Sequence, residues 1–300
     1  MPRPEALPAT SLEAHCEKTL AAGSKSFSFA AGFFSRELRE AASFVYAWCR
    51  YCDDQIDECP SRELGLKRLA ELREKTRSAF LGTPPEEPVF QAFSRVVRKY
   101  RIPQIHALEL LDGMEMDLKL QTYESLTELR LYCYRVAGTV GLMMAYVMGV
   151  SDRRALLNAA ELGIAMQLTN ISRDVLDDAE LGRVYLPLSW LREAGISEPT
   201  PSQVAAARNR AIVAGVTRRL LKAAEASYQE GNEGIRFLPW RASLAIAAAS
   251  YIYRAIGWKV ALRGPRAWNT RTVVSKPAKV FLSLFGMIKA TFERGIRRTA

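Results

Sequence analysis

Two runs of aspartate carry the chemistry of this chain: Asp53-Asp54-Gln55-Ile56-Asp57 and Asp174-Val175-Leu176-Asp177-Asp178. In each, Asp53 with Asp57 and Asp174 with Asp178, two aspartates lie four residues apart, a spacing that stacks their carboxylates on one helix face. Tyr46 and Arg50 extend the first face, and Gln167 and Asn170 extend the second. Carboxylate and amide oxygens of this kind suit a hard ion such as Mg²⁺, which in turn binds diphosphate oxygens. The expected metal ligands are Asp53, Asp57, Asn170, Asp174 and Asp178, with Mn²⁺ as an alternative ion. Arg50 and Arg173 stand beside the clusters, where guanidinium forks can hold phosphate oxygens two at a time. Arg183 and Tyr185 follow the second cluster and can close over the same group. Ser24-Lys25-Ser26 is either a plain helix cap or a further phosphate contact through hydroxyls and ammonium. A solvated acidic face is the competing account of either carboxylate pair. It weakens because Phe44, Val45, Trp48 and Ile56 make the first helix apolar over much of its circumference, and unpaired charge is costly to bury. Facing one another, the clusters would form a site for ionising an allylic diphosphate.

Apolar residues at three- and four-residue spacing predict helices near residues 11–22, 36–58, 62–80, 87–99, 103–120, 126–148, 152–178, 202–231, 238–262 and 277–298. Loops are expected at 81–88, 101–103, 179–201 and 264–277, where proline and glycine gather. No long linker interrupts this pattern, so the expectation is a single all-α domain over 1–300, with a catalytic body at about 12–262 and a basic amphipathic segment at about 263–300. Gly138 and Gly141 lie inside an apolar helix, where glycine costs about 1 kcal/mol relative to alanine. Close contact between helices explains them, or a kink that opens room for a long hydrocarbon.

The chain has 300 residues, 49% of them hydrophobic, as expected of a folded globular protein. The N-terminal residues lack the apolar core of a leader, and the longest apolar runs are too short or too charged to cross a bilayer. The expected location is the cytoplasm, with peripheral attachment to the inner face of the membrane. Five cysteines without framework spacing are expected to be reduced. Cys49-Arg50-Tyr51-Cys52 has the spacing of a zinc or redox pair, but there is no second pair and only two histidines in the chain to complete a site. The formal charge of +10 is concentrated beyond residue 262, where nine bases meet the single acid Glu293. No nucleic-acid motif accompanies it, and nucleic acid is not an expected partner. No nucleophile elbow, dinucleotide fingerprint or Walker loop is present. From 277 to 298, Val280, Phe281, Leu284, Phe285, Ile288, Phe292 and Ile296 recur at helical spacing. An interfacial helix and an ordinary packed helix both fit that pattern.

Larger stretches carry a resemblance. Ser24-Lys25-Ser26-Phe27, the run from Tyr46 to Asp57, Tyr132-Cys133-Tyr134-Arg135-Val136-Ala137-Gly138-Thr139-Val140-Gly141, the run from Gln167 to Asp178, and Gly182-Arg183-Val184-Tyr185-Leu186-Pro187 together resemble the head-to-head prenyl synthases, the squalene/phytoene synthase family. The likeness spans roughly 12–262 and weakens afterwards. It implies an all-α isoprenoid synthase fold around a central active-site cavity. It also implies Mg²⁺-dependent condensation of two geranylgeranyl diphosphates through prephytoene diphosphate to phytoene in carotenoid biosynthesis, without NADPH. Other carotenoid enzymes are possible partners. Carried over residue by residue, Asp53, Asp57, Asn170, Asp174 and Asp178 match the metal region. Ser24, Lys25, Arg50 and Arg173 match diphosphate contacts, with Ser26 and Arg183 beside them. Tyr46, Tyr134, Gln167 and Tyr253 match positions lining the cavity, Tyr134 as a catalytic residue. A sister enzyme that joins fifteen-carbon farnesyl chains, and a non-catalytic assembly protein on the same fold, are the alternatives.

Overall fold

The computed structural model describes residues 25–296 together with Cys16 and Lys18; the side chains of 25–27 and 292–296 lie outside that description. Among the described residues the regular elements are all helical. They run α1 (Lys25–Ala31), α2 (Arg36–Asp57), α3 (Arg62–Leu81), α4 (Pro88–Lys99), α5 (Gln104–Leu118), α6 (Leu126–Cys133), α7 (Thr139–Val147), α8 (Arg153–Glu180), α9 (Leu188–Glu193), α10 (Pro201–Ala205), α11 (Arg210–Asn232), α12 (Trp240–Arg263) and α13 (Lys276–Ile296). The all-α expectation therefore holds. Local chemistry sets many of the boundaries. Ser35, Ser61, Ser125, Asp152 and Thr200 each accept a backbone N–H of the first turn that follows. Gly82 ends α3 in the left-handed region at φ 82°.

Four elements depart from the sequence pattern. The helix expected at 11–22 lies largely outside the described residues. Helix α1 occupies what the pattern left as a capping segment, and α9 lies inside the expected loop 179–201. The helix expected at 202–231 breaks at Ala206, which is extended at ψ 130°. Asn209 Nδ2 donates to the Gln203 carbonyl at 2.8 Å across that break. It takes up a carbonyl that a continuous helix would have bonded.

Helix α8 is central, packing on α7, α10, α11 and α12. Its approach to the α6–α7 segment is set by glycine. A Cβ on Gly163 would lie 2.3 Å from the Ala137 oxygen, and one on Gly141 would lie 2.4 Å from the Ala159 oxygen. Only glycine permits backbones this close. Between α6 and α7, Tyr134–Gly138 form a π-turn, so close contact and a bulge both occur where the sequence offered them as alternatives. Two large cores flank the central helix. In one, Trp48 stacks on Phe93 with ring centroids 4.1 Å apart. In the other, Leu168, Ile171 and Val175 meet Leu220 and Tyr228.

Candidate active site

A cavity of about 1320 Å³ opens between α2, α7, α8, α12 and the segment leading into α13. Its walls are largely apolar: Val45, Val136, Val140, Met144, Leu162, Met166 and Ile246 are among them. Polar groups gather where Gln167, Asn170, Arg173 and Tyr253 meet Tyr46 and Arg271. On α8, Ala155 and Arg173 both line it. Eighteen residues apart, they set a span of about 27 Å at 1.5 Å per residue. Tyr46 and Tyr253 interact across the cavity. Burial first, and then Tyr253, push the Tyr46 phenol up to about 12.

The aspartates lie beside this polar end and are held by arginines. Arg50 bonds Asp53 at 3.1 Å and Asp54 at 2.6 Å. Arg183, from the loop after α8, reaches across to Asp57 at 3.1 Å. Arg173 grips its own neighbour Asp174 with Nε at 2.8 Å and Nη2 at 2.5 Å. In a straight helix adjacent side chains diverge. Here Asp174 leaves helical geometry at φ −106°, ψ 15°, and α8 kinks. Trp268 Nε1 donates to the Ser172 carbonyl beside that break at 3.2 Å. Arg271 adds a second guanidinium to Asp174 at 3.4 Å.

These guanidiniums do not offset the crowding of negative charge. Desolvation, then repulsion from Asp57, lifts the Asp53 carboxyl to about 6 against the pull of Arg50. Asp178 rises to about 7, through desolvation and then Asp174, against Arg183. Between the clusters sits Asp117, a half-buried carboxylate that repels Asp53, Asp57 and Asp178. It accepts the Tyr185 hydroxyl at 2.6 Å and the Tyr132 hydroxyl at 2.9 Å. Among the described residues, no group of three or more His, Cys, Asp or Glu is arranged to hold a metal ion. Of the expected ligands, Asp53, Asp57 and Asp174 are paired with arginine, and Asn170 donates to Gln167 Oε1 at 3.3 Å. An oxygen-donor set with surplus negative charge fits a divalent cation, provided the arginines release it.

The expected site residues fall into distinct places. Tyr46, Gln167, Asn170, Arg173 and Tyr253 line the cavity. Arg50, Asp53, Asp57, Asp174, Asp178 and Arg183 form the charged network beside it. Tyr134 does not line the cavity: it opens the π-turn and packs on the core around Leu168 and Tyr228. Ser24 lies outside the described residues, and Lys25 and Ser26 are placed only as helical backbone of α1. Cys49 and Cys52 are free, with thiols pushed up by burial, so a redox or zinc pair gains no support from their surroundings. Sequence reasoning missed Asp117, one of four acids on α5 and the one with no acid three or four residues away. It also missed Arg271, which looked like one more charge in a basic tail.

Known proteins resemble this chain in sequence and fold. The chain matches the squalene/phytoene synthase profile over residues 20–278. It is 45% identical to a phytoene synthase of Pseudescherichia vulneris, covering 89% of this chain and 88% of that one. To a 15-cis-phytoene synthase of Pantoea ananas it is 42% identical, covering 91% and 90%. Among solved structures, a dehydrosqualene synthase in complex with ligand superposes with a TM-score of 0.84 at 28% identity, covering 94% and 97% of the two chains. A squalene synthase from Alicyclobacillus acidocaldarius gives 0.76 at 25% identity, covering 88% and 97%. With its helical architecture and its profile match agreeing, the chain belongs to the squalene/phytoene synthase family.

Proposed function

We propose that this chain is a phytoene synthase, joining two geranylgeranyl diphosphates head to head through prephytoene diphosphate. The observation that carries this reading is the long apolar cavity whose polar end meets two aspartate clusters and their arginines. The span of about 27 Å along α8 leaves room for a long prenyl chain. The relatives in Pseudescherichia and Pantoea point the same way.

Asp53, Asp57, Asn170, Asp174 and Asp178 would hold Mg²⁺, which when bound neutralises charge on a departing diphosphate. Arg50, Arg173, Arg183 and Arg271 pair with the carboxylates. With diphosphate and metal present they would turn to phosphate oxygens, so one set of cations serves both states. The apolar walls keep water from the allylic cation. Tyr46 and Tyr253 present aromatic faces near the polar end, worth about 0.5–2 kcal/mol to a cation. Holding two chains side by side contributes through orientation. The setting is carotenoid biosynthesis at a membrane's inner face, alongside the enzymes that use the product.

Purified protein with Mg²⁺, offered twenty-carbon and fifteen-carbon allylic diphosphates separately, tests this by mass spectrometry of the extracts. A forty-carbon hydrocarbon from the longer substrate is expected. A thirty-carbon product alone would replace the reading with the dehydrosqualene type.

A further inference from the structure

Helix α13 packs the wrong way round for a helix buried in water-soluble structure. Its inward face is made of small and flexible residues: Ala278, Leu282, Ser283, Gly286 and Met287. A Cβ on Gly286 would lie 2.8 Å from the Tyr251 ring and 3.0 Å from the Ala247 oxygen, so α13 sits close on α12. The large apolar residues face out: Val280 is 48% exposed, Phe281 69%, Leu284 54%, Phe285 52% and Ile288 67%. They form one continuous stripe at helical spacing. Scattered exposed apolar residues are ordinary; five on one helix face mark a contact surface.

We propose that the outward face of α13 is a docking surface for an anionic lipid bilayer. Three observations select that occupant. The segment from Arg263 onward carries nine bases and one acid, and Lys276 and Lys289 lie exposed at either end of the stripe. Basic groups flanking an apolar face match an anionic headgroup layer over hydrocarbon. A second copy of this chain, with its own formal charge of +10, would bring like charge to the contact. The stripe is also continuous with the cavity, because Val273, 64% exposed, and Val280 both line it. No described helix is long and apolar enough to cross a membrane, so α13 lies on the surface. The mouth of the cavity would then face the lipid, where prenyl chains enter and the hydrocarbon leaves. That use of the surface rests on the reaction proposed above; the docking does not.

The test is flotation with substrate-free vesicles of phosphatidylcholine, with and without phosphatidylglycerol, comparing wild type with F281Q/L284Q/I288Q. Glutamine keeps helix propensity and removes the apolar stripe. Wild type is expected to float with the mixed vesicles and to detach as salt rises, and the triple variant to bind at least about tenfold less. F281Q alone, expected to show an intermediate loss, serves if the triple variant misfolds. Equal binding by wild type and variants overturns the proposal, as does wild type that stays in solution. A dimer split by the variant, without vesicle binding, reassigns the stripe to contact between copies. Activity in detergent micelles separates the two claims. Binding without turnover would leave the docking surface standing and sink the reaction, whereas turnover in micelles by protein that never floats would do the reverse.

Discussion

Arg173 and Asp174, neighbours in sequence, hold each other through two hydrogen bonds of 2.8 and 2.5 Å, because α8 breaks its helical geometry at Asp174. The break turns a helix surface into a two-residue clamp at the cavity's polar end. Residues 173 and 174 also mark where the roles divide. Arg173 lines the cavity, while Asp174 belongs to the carboxylate network and takes Arg271 as a second partner.

Lysine at 173 keeps the charge and loses the fork. Arg173→Lys is therefore expected to lower kcat/KM by roughly 10- to 100-fold, about 1.4–2.8 kcal/mol of transition-state stabilisation. Arg173→Ala should additionally weaken binding of a diphosphate product, read by calorimetry. Unchanged affinity in the alanine variant would count against the clamp.

Asp53→Ala and Asp174→Ala should each abolish turnover with the fold retained. Crowded carboxylates destabilise the metal-free site, so removing one leaves thermal stability close to wild type. Mg²⁺ should raise the melting temperature of wild type through binding to the native state, and EDTA should reverse it. The rise should be absent in Asp174→Ala. Full activity in either variant, or an undiminished Mg²⁺ shift, would falsify the ligand assignment.

Asp117 is expected to position Arg183 without touching substrate. It anchors Tyr185, two residues beyond Arg183, to Tyr132 of α6. Tyr185→Phe removes one hydroxyl from the carboxylate and should cost about 1–3 kcal/mol of unfolding free energy, since the half-buried charge loses a donor. Asp117→Ala leaves the Tyr132 and Tyr185 hydroxyls only their 3.3 Å bond to each other and should lower kcat more than it raises KM. Asp117→Asn, which keeps the shape and one acceptor, should recover part of both. Urea denaturation and steady-state kinetics on the three variants check this, and a purely structural residue would leave kcat untouched in whatever protein still folds.

The long helices were legible because burial on one side imposes a period, so the ends of α2, α4 and α8 fall within a residue or two of the pattern. The aspartates of α2 and α8 were legible for the same reason: four-residue spacing on an apolar helix is rarely neutral. What stayed hidden depends on tertiary contact. Ala206 interrupts a run of alanines that favours helix, at a turn closed by bonds from Asn209 and Arg208 to Gln203. The π-turn that begins at Tyr134 leaves no local signature beyond Gly138. Arg271 is recognisable as a site residue only once α12 and α13 bring its loop back to Asp174. Asp117 has its partners 15 and 68 residues away.

Chain length is expected to be set at the end of the cavity farthest along α8 from Arg173. There Ala155, 3% exposed, meets Met148, Val150 and Leu238, all lining the cavity. A larger side chain at that floor shortens the space along α8 without approaching the aspartates. Ala155→Leu adds volume in a packed region and should cost about 1–3 kcal/mol of stability. With twenty-carbon diphosphate its kcat/KM should fall at least about tenfold, because the chain no longer seats to full depth. The fifteen-carbon substrate ends short of the floor, so its use should be unchanged or improved, and thirty-carbon product should rise as a share of the total. Competition between the two substrates in one vessel, with products separated by mass, measures that share directly. Equal losses on both would mean that the substitution disturbs the helix as a whole and that the floor does not measure the chain.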